Sequence, residues 1–430
     1  MTAAQFRQGR RAVCLVMPTG AGKTTTASAI IKQHLKKKPD GCVLFCAHRE
    51  ELVAQAYDDL LSWGLLPSVI QANPDPLRVH NPHRRVQVAS TQTILSREIF
   101  PKISLLVLDE FHHYASDKWE VLGSKYKQMG VPIIGLTATP IRGDGRGFEG
   151  LVDELICPIS MRELIEQGFL VPYELVVPDK TLRSDQIVQS PVDAYLEHAK
   201  GRKAIVFAGN VKAAYEFASQ FENAGIRSSV VHGAMDAGER RRVLEDYKSG
   251  KIRVLANVGV LTEGFDDPST SCVILARAIG TLALYLQICG RALRVAPGKT
   301  DAIIIDLHGS SRVHGEPAED REWTLEGRGI VKKNLEQPTE RFCPVCGVYL
   351  ESGAGNICEL CGIARPEAGA PEVVGGRLVR YARKLRESPE IRRVYFEKLK
   401  GIARVKGYNK WQPHAKYKAI YGEKPPREWW

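Results

Sequence analysis

Short apolar runs alternate with amphipathic stretches of helical periodicity from the start of the chain to about residue 310. Continuous apolar runs are typical of strands that are buried on both faces, and helices connect such strands in parallel sheets. The runs fall into two groups of five, so the pattern predicts two α/β lobes. The predicted strands are 12–17, 42–46, 86–89, 105–108 and 133–136 in the first lobe, and 204–207, 229–231, 254–256, 272–275 and 302–305 in the second.

Proline and glycine divide the rest of the chain. Residues 150–191 contain four prolines and interrupt the alternation, which predicts the connection between the lobes. A polar stretch at residues 309–338 precedes a cysteine cluster, and a second linker at residues 362–376 precedes the tail. No run approaches the roughly 20 apolar residues that span a bilayer. The first residues lack the apolar segment of a secretory signal, which favours a cytoplasmic protein without membrane contact.

The positive charge is concentrated in the tail. The 430 residues carry a net charge of +11 at pH 7. Residues 377–430 hold 16 Lys and Arg against five Asp and Glu, whereas the preceding residues hold 44 of each. Aromatic residues interleave with these cations. Because cations neutralise phosphates and exposed aromatics stack on unpaired bases, we predict a nucleic-acid-binding extension at 377–430. The alternative is a small helical subdomain with buried aromatics and a solvated basic face.

A glycine-rich loop, MPTGAGKT at residues 17–24, follows the first predicted strand and opens a helix. Its glycines allow backbone N–H groups to face a triphosphate, Lys23 can reach the terminal phosphates, and Thr24 can bind Mg²⁺. The helix N-terminus adds a favourable dipole. The predicted ATP-binding residues of this loop are Gly20, Ala21, Gly22, Lys23, Thr24 and Thr25.

A pair of carboxylates follows the apolar strand at 105–108. Phosphoryl transfer to water needs charge neutralisation by Mg²⁺ and an oriented nucleophile. We therefore predict that Asp109 joins Thr24 as a magnesium ligand and that Glu110 orients the attacking water. His112 and His113 follow. They are either metal ligands or, as we favour, a hydrogen-bonding link from the nucleotide site to the second lobe.

These motifs resemble those of superfamily 2 helicases of the DExH type. MPTGAGKT, VLDEFHH and the turn at 135–140 resemble motifs I, II and III, while residues 254–266 and 287–294 resemble motifs V and VI. The resemblance implies two RecA-like lobes, at 1–155 and 191–312, joined by a linker at 156–190. Relatives read adenine through an upstream Arg-x-x-Gln element, and this chain begins too close to Lys23 to contain one. The sequence therefore leaves adenine selectivity open.

The resemblance also implies roles in the second lobe. Gln287, Arg291 and Arg294 would face the first lobe across a cleft and serve catalysis, with the two arginines stabilising the charge of the transition state. Gly264 and Asp266 would contact the nucleotide, Asp266 near the ribose. A spacing of three residues places both arginines on one helical face, as a shared phosphate target requires. The implied nucleic-acid contacts are Arg49, Thr91, Gln92 and Thr262.

Four of the ten cysteines form two C-x₂-C pairs, Cys343 with Cys346 and Cys358 with Cys361. Four thiolates at this spacing are typical of a structural Zn²⁺ ribbon, here at 340–365, and a redox pair is the rival interpretation. The other six cysteines are scattered, and we expect them to be small buried hydrophobes. The cysteine cluster and basic tail resemble the RadD group of bacterial and phage helicase-like ATPases, which are associated with DNA repair and recombination.

Three functions fit these features. The leading hypothesis is an ATP-dependent DNA helicase or translocase that acts on single-stranded or branched DNA in repair or recombination, with ATP, Mg²⁺ and Zn²⁺ as cofactors. The second is an RNA helicase. The third belongs to another class and is an ATP-binding DNA clamp or adaptor without productive turnover.

Overall fold

The structure, a computed structural model, describes residues 2–72, 78–79, 81–115, 117–142, 146–183, 185–261, 264–327, 370–381, 396, 400, 413–414 and 424–429. Within these ranges the strands form two large sheets with helices on both faces, and one short two-stranded ladder. The fold class of two parallel-sheet lobes is therefore confirmed. No described helix combines the length with the hydropathy that a membrane-spanning segment requires.

The first lobe contains a parallel sheet in the order β3-β4-β2-β5-β6-β1-β7. Its elements are α1 (Thr2–Arg7), β1 (Ala12–Val16), α2 (Lys23–Lys37), β2 (Val43–Ala47), α3 (Glu50–Ser62), β3 (Pro67–Ile70), β4 (Val86–Ser90), α4 (Thr91–Ser96), β5 (Leu105–Leu108), α5 (Asp117–Gln128), β6 (Ile133–Thr137) and β7 (Glu154–Ile156), with a 3₁₀ turn at Phe111–Ala115.

The apolar character of the central strands follows from burial on both faces. Along β1, Val13 and Leu15 face one core, whereas Ala12, Cys14 and Val16 face the other. Side chains alternate along a strand, so every position of such a strand is apolar. The carboxyl ends of the parallel strands meet at one edge of the sheet, and the chemically active loops therefore converge there.

The second lobe contains a sheet in the order β11-β12-β10-β13-β14-β8-β16, parallel except for β16. Its elements are α6 (Met161–Glu166), β8 (Tyr173–Pro178), β9 (Gln186–Ile187), α7 (Pro191–His198), β10 (Ala204–Ala208), α8 (Val211–Asn223), β11 (Ser228–His232), α9 (Ala237–Lys248), β12 (Val254–Val258), β13 (Cys272–Ala276), α10 (Leu282–Arg291), β14 (Ala302–Asp306), α11 (Ser310–His314), β15 (Glu372–Val373) and β16 (Leu378–Arg380).

All ten predicted strands are present, but the segment assigned to the linker does more than connect the lobes. Strand β8 lies inside 156–190 and pairs with β14. Pro172 directly precedes this strand and Pro178 is its last residue, whereas the sequence pattern predicts that both prolines interrupt regular structure. The start of the basic extension also joins the second lobe, because β16 pairs with β8 in antiparallel register. The second lobe therefore extends beyond the range that the sequence assigned to it.

The cysteines and aromatics differ partly from expectation. Cys14, Cys46, Cys272 and Cys289 are buried, and burial raises the pKa of each thiol, as expected of small hydrophobes. Cys157 is exposed, so the expectation was wrong for this residue. In the tail, Phe396 and Trp429 are buried, which fits the alternative of aromatics in a core. The four clustered cysteines lie outside the described residues.

Candidate nucleotide site between the lobes

The glycine-rich loop connects β1 to α2 at the carboxyl edge of the first sheet. Gly20 and Gly22 have φ values of +87° and +76°, a region that glycine adopts without steric cost. Gly22 is the N-cap of α2, so the first backbone N–H groups of that helix face the loop. The amide of Ala21 donates to the carbonyl of Pro18 over 3.0 Å. The loop is therefore preformed as an anion-binding turn at a helix N-terminus.

Motif II follows β5 at the same edge. Asp109 is only 8% exposed, and its amide donates to the carbonyl of Cys46 on the neighbouring strand β2. Glu110 has a φ of +47°, which costs a non-glycine residue about 1–3 kcal/mol. Two hydrogen bonds offset this strain: the Glu110 amide donates to Asp109 Oδ1, and the Glu110 carbonyl accepts from the His113 amide. The strained turn aims the Glu110 carboxylate back toward the glycine-rich loop.

Strand β6 lies between β1 and β5, and motif III therefore lies between motifs I and II. Lys23 Nζ is 3.8 Å from Glu110 Oε1, and the two side chains are each 13% exposed. His112 Nδ1 is 3.1 Å from Thr137 Oγ1 and 3.5 Å from Glu110 Oε2. The hydrogen bond of His112 thus links motif II to motif III within the first lobe, and the link from the two histidines to the second lobe stays a prediction.

Motif VI approaches the glycine-rich loop from the other lobe. Helix α10 passes so close that a methyl group at Gly290 would lie 2.6 Å from Thr19 Cβ. A methyl group at Gly20 would lie 3.0 Å from Leu170 Cδ2 and 3.4 Å from Arg294 Cγ. The aliphatic part of Arg294 therefore rests on the phosphate loop. The lobes are in direct contact at the residues predicted to hold ATP.

The expectation that the two motif VI arginines share one helical face was wrong, because α10 ends at Arg291 and Arg294 lies beyond it in a bridge with Leu170. The two arginines accordingly make different contacts. Arg291 donates to the carbonyl of Phe265, while Arg294 forms an ion pair with Asp266. Burial lowers the pKa of the Arg294 guanidinium from its ordinary value. Asp266, which the resemblance places near the ribose, is thus ion-paired with one of the two arginines that the resemblance assigns to stabilising the charge of the transition state. Gly264 has a φ of +70° at the turn that carries Asp266.

Buried polar atoms without partners test whether the cleft fits a nucleotide. Thr19 Oγ1, Thr139 Oγ1 and Gln287 Nε2 are buried and find no hydrogen-bond partner within the part of the chain that the structure describes. Leaving such groups unpaired costs about 1–3 kcal/mol each. The three residues belong to motifs I, III and VI, so a polar ligand between the lobes would satisfy them. The donor set fits a triphosphate.

Magnesium has a suitable donor pair in the same place. Thr24 lies in the first turn of α2, and Asp109 follows β5 at the same sheet edge. A hydroxyl and a carboxylate are the hard oxygen ligands that Mg²⁺ prefers. Thr25, also predicted to contact the nucleotide, is exposed in the same turn. The position of Asp109 and Thr24 at one edge is compatible with a shared metal.

The three predicted nucleic-acid residues of the first lobe lie at the starts of helices. Arg49 is the N-cap of α3, and Gln92 is exposed in the first turn of α4. The Thr91 hydroxyl donates to the carbonyl of Ala47 over 3.2 Å and is buried. The hydroxyl of Thr91 thus connects motif Ib to motif Ia. Thr262 lies outside the described residues.

The sequence does not predict several contacts at and beside the interface of the two lobes. Ala21 and Ile141 of the first lobe pack against the core of the second. Within the second lobe, Leu170 forms a bridge with Arg294, and the Val171 amide donates to the carbonyl of Leu293. These contacts join segments that are remote in sequence, and no local pattern marks them. Gly290 lies within the predicted motif VI at residues 287–294, but the motif does not predict its contact with Thr19.

Replacing Gly290 by Ala is expected to lower kcat/KM for ATP by about tenfold or more, because overpacking a close contact costs about 1–3 kcal/mol. Thr19 Cβ cannot rotate away from the added methyl group, so α10 must move off the phosphate loop. Steady-state ATPase kinetics measure the effect. Gly123→Ala is the matched control, since a methyl group there meets nothing within 4 Å. Equal kinetics for the two variants would show that the loop and α10 do not act together.

Two sequence families match the chain. The family described as "Type III restriction enzyme, res subunit" matches residues 1–142, and the family described as "Helicase conserved C-terminal domain" matches residues 187–296. The first range contains motifs I to III, and the second contains motifs V and VI.

Individual proteins resemble the chain over most of its length. A 51.5 kDa protein of Lactococcus phage (isolate 7-9) is 33% identical over 368 residues, which cover 80% of this chain and 76% of that protein. A provisionally named mitochondrial ATP-dependent helicase, irc3 of Schizosaccharomyces pombe, is 29% identical over 346 residues, 73% of this chain and 57% of that protein. The chain thus spans little more than half of the yeast protein.

Among solved structures, the ATP-dependent Type ISP restriction-modification enzyme LlaBIII bound to DNA shares the fold. The TM-score is 0.55 at 19% identity, over 71% of this chain and 27% of LlaBIII. Three findings agree with one another: the two family matches, the extended similarity to the phage protein, and the two-lobed fold. The chain therefore belongs to the superfamily 2 helicases and is an ATP-hydrolysing enzyme of that family.

Proposed function

We propose that this protein is an ATP-dependent DNA helicase or translocase that hydrolyses ATP in the cleft between its lobes and thereby remodels DNA in repair or recombination. The observation that carries the proposal is the contact of the phosphate loop with motif VI, at Thr19 against Gly290 and at Gly20 against Arg294. A ligand bound to this loop would therefore lie beside motif VI of the second lobe. Binding and release of a nucleotide are then coupled to the arrangement of the lobes.

The first lobe supplies most of the phosphate-binding groups in this proposal. Gly20, Ala21 and Gly22 offer backbone N–H groups, and Lys23 neutralises the terminal phosphates. Thr24 and Asp109 hold Mg²⁺, which supplies charge neutralisation when bound. Glu110 accepts a hydrogen bond from the attacking water and orients it. The 3.8 Å separation of Lys23 Nζ and Glu110 Oε1 supports a shared site for these two side chains.

The second lobe completes the site. Arg291 and Arg294 stabilise the negative charge of the transition state, and Gln287 hydrogen-bonds the nucleotide through its Nε2. The unpartnered Gln287 Nε2, on a side chain 4% exposed, supports this assignment. The residues that contact the nucleic-acid backbone are Arg49, Thr91, Gln92 and Thr262. Opening and closing of the lobes changes these contacts.

DNA is proposed as the track for two reasons. Residues 377–430 carry the entire excess positive charge, which favours a polyanion as the partner. LlaBIII, which shares the fold, is bound to DNA in its solved structure. The alternatives are an RNA helicase and an ATP-binding DNA clamp without turnover. The next experiment distinguishes both from this proposal.

ATP hydrolysis should be stimulated most strongly by single-stranded or forked DNA. The experiment compares the steady-state ATPase rate of the full chain alone with its rate in the presence of single-stranded DNA, duplex DNA, forked DNA or single-stranded RNA of matched length. The salt concentration is kept fixed, because salt alone changes the affinity for nucleic acid. Stronger stimulation by RNA would assign the alternative track. Tight DNA binding with no rise in ATPase rate would assign the clamp.

We also propose that Cys343, Cys346, Cys358 and Cys361 bind one structural Zn²⁺; they lie outside the described residues, and their spacing is the support. The purified protein should contain one zinc per chain by elemental analysis, and a Cys343→Ser, Cys346→Ser double variant should lose it. A Cys157→Ser variant, which replaces an exposed cysteine outside the cluster, should keep it. Zinc-free wild-type protein with an unchanged thermal unfolding transition in the double variant would reject the site.

A further inference from the structure

A segment after the second lobe crosses to the first. Residues 315–327, which we call the clasp, follow α11. On the second-lobe side, Tyr173 in β8 holds the clasp: its hydroxyl donates to Glu316 Oε1 over 3.2 Å and accepts from the Ala318 amide over 3.1 Å. Arg162 in α6 donates to the carbonyl of Ala318. The first half of the clasp is therefore attached to the second lobe.

A single arginine gives this half of the clasp a defined shape. The Arg321 guanidinium donates to the backbone carbonyls of His314, Glu316, Pro317 and Glu319, and the side chain is only 6% exposed. A planar guanidinium with five N–H groups can satisfy several carbonyls at once. The turn that leads toward the first lobe is therefore ordered by side-chain hydrogen bonds, although it contains neither helix nor strand.

The second half of the clasp is attached to the first lobe. The Gly147 amide donates to the carbonyl of Glu326 over 3.0 Å, and the Glu149 amide donates to that of Leu325 over 2.8 Å. A methyl group at Gly147 would overlap the backbone of Leu325 and Gly327, so the approach requires glycine. Leu325 packs against the first-lobe core, which contains the fully buried Phe148.

Trp323 lies between the two attachments. Its side chain packs against the core that contains Tyr285 in the second lobe and also against the core that contains Phe148 in the first. Separation of the lobes must expose part of this indole, and exposure of apolar surface to water is unfavourable. The clasp thus opposes separation with hydrogen bonds at Gly147 and with apolar burial at Trp323 and Leu325.

The clasp also determines where the next part of the chain begins. The chain leaves the first lobe at Gly327 and returns to the second lobe at Glu372–Val373, which pairs with Gln186–Ile187, and at β16. The intervening residues include the four clustered cysteines. Their two ends are held on different lobes, so a change in the distance between the lobes changes the distance between these ends.

We propose that the clasp is an interlobe tether, which keeps the lobes together without nucleotide. Because the nucleotide site is formed by both lobes, weakening the tether lowers the fraction of molecules with a complete site. The apparent affinity for ATP then falls in proportion to that fraction. None of the clasp residues is assigned to the nucleotide or nucleic-acid site.

The test uses Gly147→Ala and Leu325→Ala in the full chain, with Gly123→Ala as the control in open space. Small-angle X-ray scattering without nucleotide should give a larger radius of gyration for both clasp variants than for wild type and the control. A non-hydrolysable ATP analogue should return both to the wild-type value, with an apparent dissociation constant raised about fivefold, which corresponds to a fivefold smaller competent fraction. Return to the wild-type value also shows that the variants are folded.

Wild-type radii without nucleotide in both clasp variants, together with an unchanged dissociation constant, would overturn the proposal. If Gly147→Ala remains expanded with the analogue, the milder Leu325→Ala variant decides the outcome. These readouts require neither DNA nor hydrolysis. A failure of DNA to stimulate the ATPase would therefore contradict the proposed function and leave the test of the tether intact.

Discussion

Replacing Glu110 by Gln is expected to lower kcat for ATP hydrolysis by about 10²–10⁴, the usual contribution of a positioned general base. Glutamine keeps the shape of the side chain but cannot accept a proton from the attacking water. The hydrogen bonds that hold the strained backbone at φ +47° use only main-chain atoms of Glu110, so the substitution leaves the turn intact. Binding of ATP should persist, because Lys23 and the loop amides are unchanged.

The measurement combines steady-state turnover with equilibrium binding of a non-hydrolysable ATP analogue. Glu110→Gln should lose turnover and keep binding, whereas Lys23→Ala should lose turnover together with much of the binding. The control is Glu166→Gln, which makes the same chemical change at an exposed position of α6. Turnover at the wild-type rate in Glu110→Gln would remove Glu110 from the catalytic assignment.

This part of the site was accessible from the sequence for a physical reason. The glycine-rich loop and the Asp109–Glu110 pair each follow a buried parallel strand, and the carboxyl ends of such strands meet at one edge of a sheet. The sequence alone therefore predicts that Lys23 and Glu110 lie close together. The position of β6 between β1 and β5 also explains why Thr137 reaches both motifs: its carbonyl accepts from the Met17 amide, and its hydroxyl contacts His112.

The contacts between the lobes were not predictable in the same way. Thr19 meets Gly290, and Gly20 meets Leu170 and Arg294, through pairs separated by more than a hundred residues with no periodic pattern. The prolines at the ends of β8 predict an irregular segment rather than a strand. The clasp contains neither helix nor strand, so it has no periodic pattern from which it could be predicted. Hydrophobic periodicity reports which face of an element is buried, but not which remote element covers it. Only the structure shows which residues of the two lobes pack against each other.

Replacing Arg294 by Ala is expected to lower kcat for ATP hydrolysis by about 10³–10⁵, the usual contribution of an arginine finger. The stem of Arg294 rests on Gly20, its guanidinium is ion-paired with the exposed Asp266, and partial burial of the arginine lowers its pKa. Removing the side chain takes a positive charge away from the phosphate loop. The KM for ATP should change far less than kcat if the charge acts mainly in the transition state.

Asp266→Asn separates two roles for the carboxylate. If Asp266 positions Arg294, the single variant should lower kcat by less than Arg294→Ala does, and the double variant should match Arg294→Ala alone, because Asp266 then has no arginine to hold. If Asp266 instead contacts the ribose, as the family resemblance implies, the single variant should raise KM and the two effects should add. A double-mutant cycle of kcat and KM distinguishes these outcomes, since residues in contact are non-additive whereas independent ones add. The ion pair leads us to expect the non-additive result.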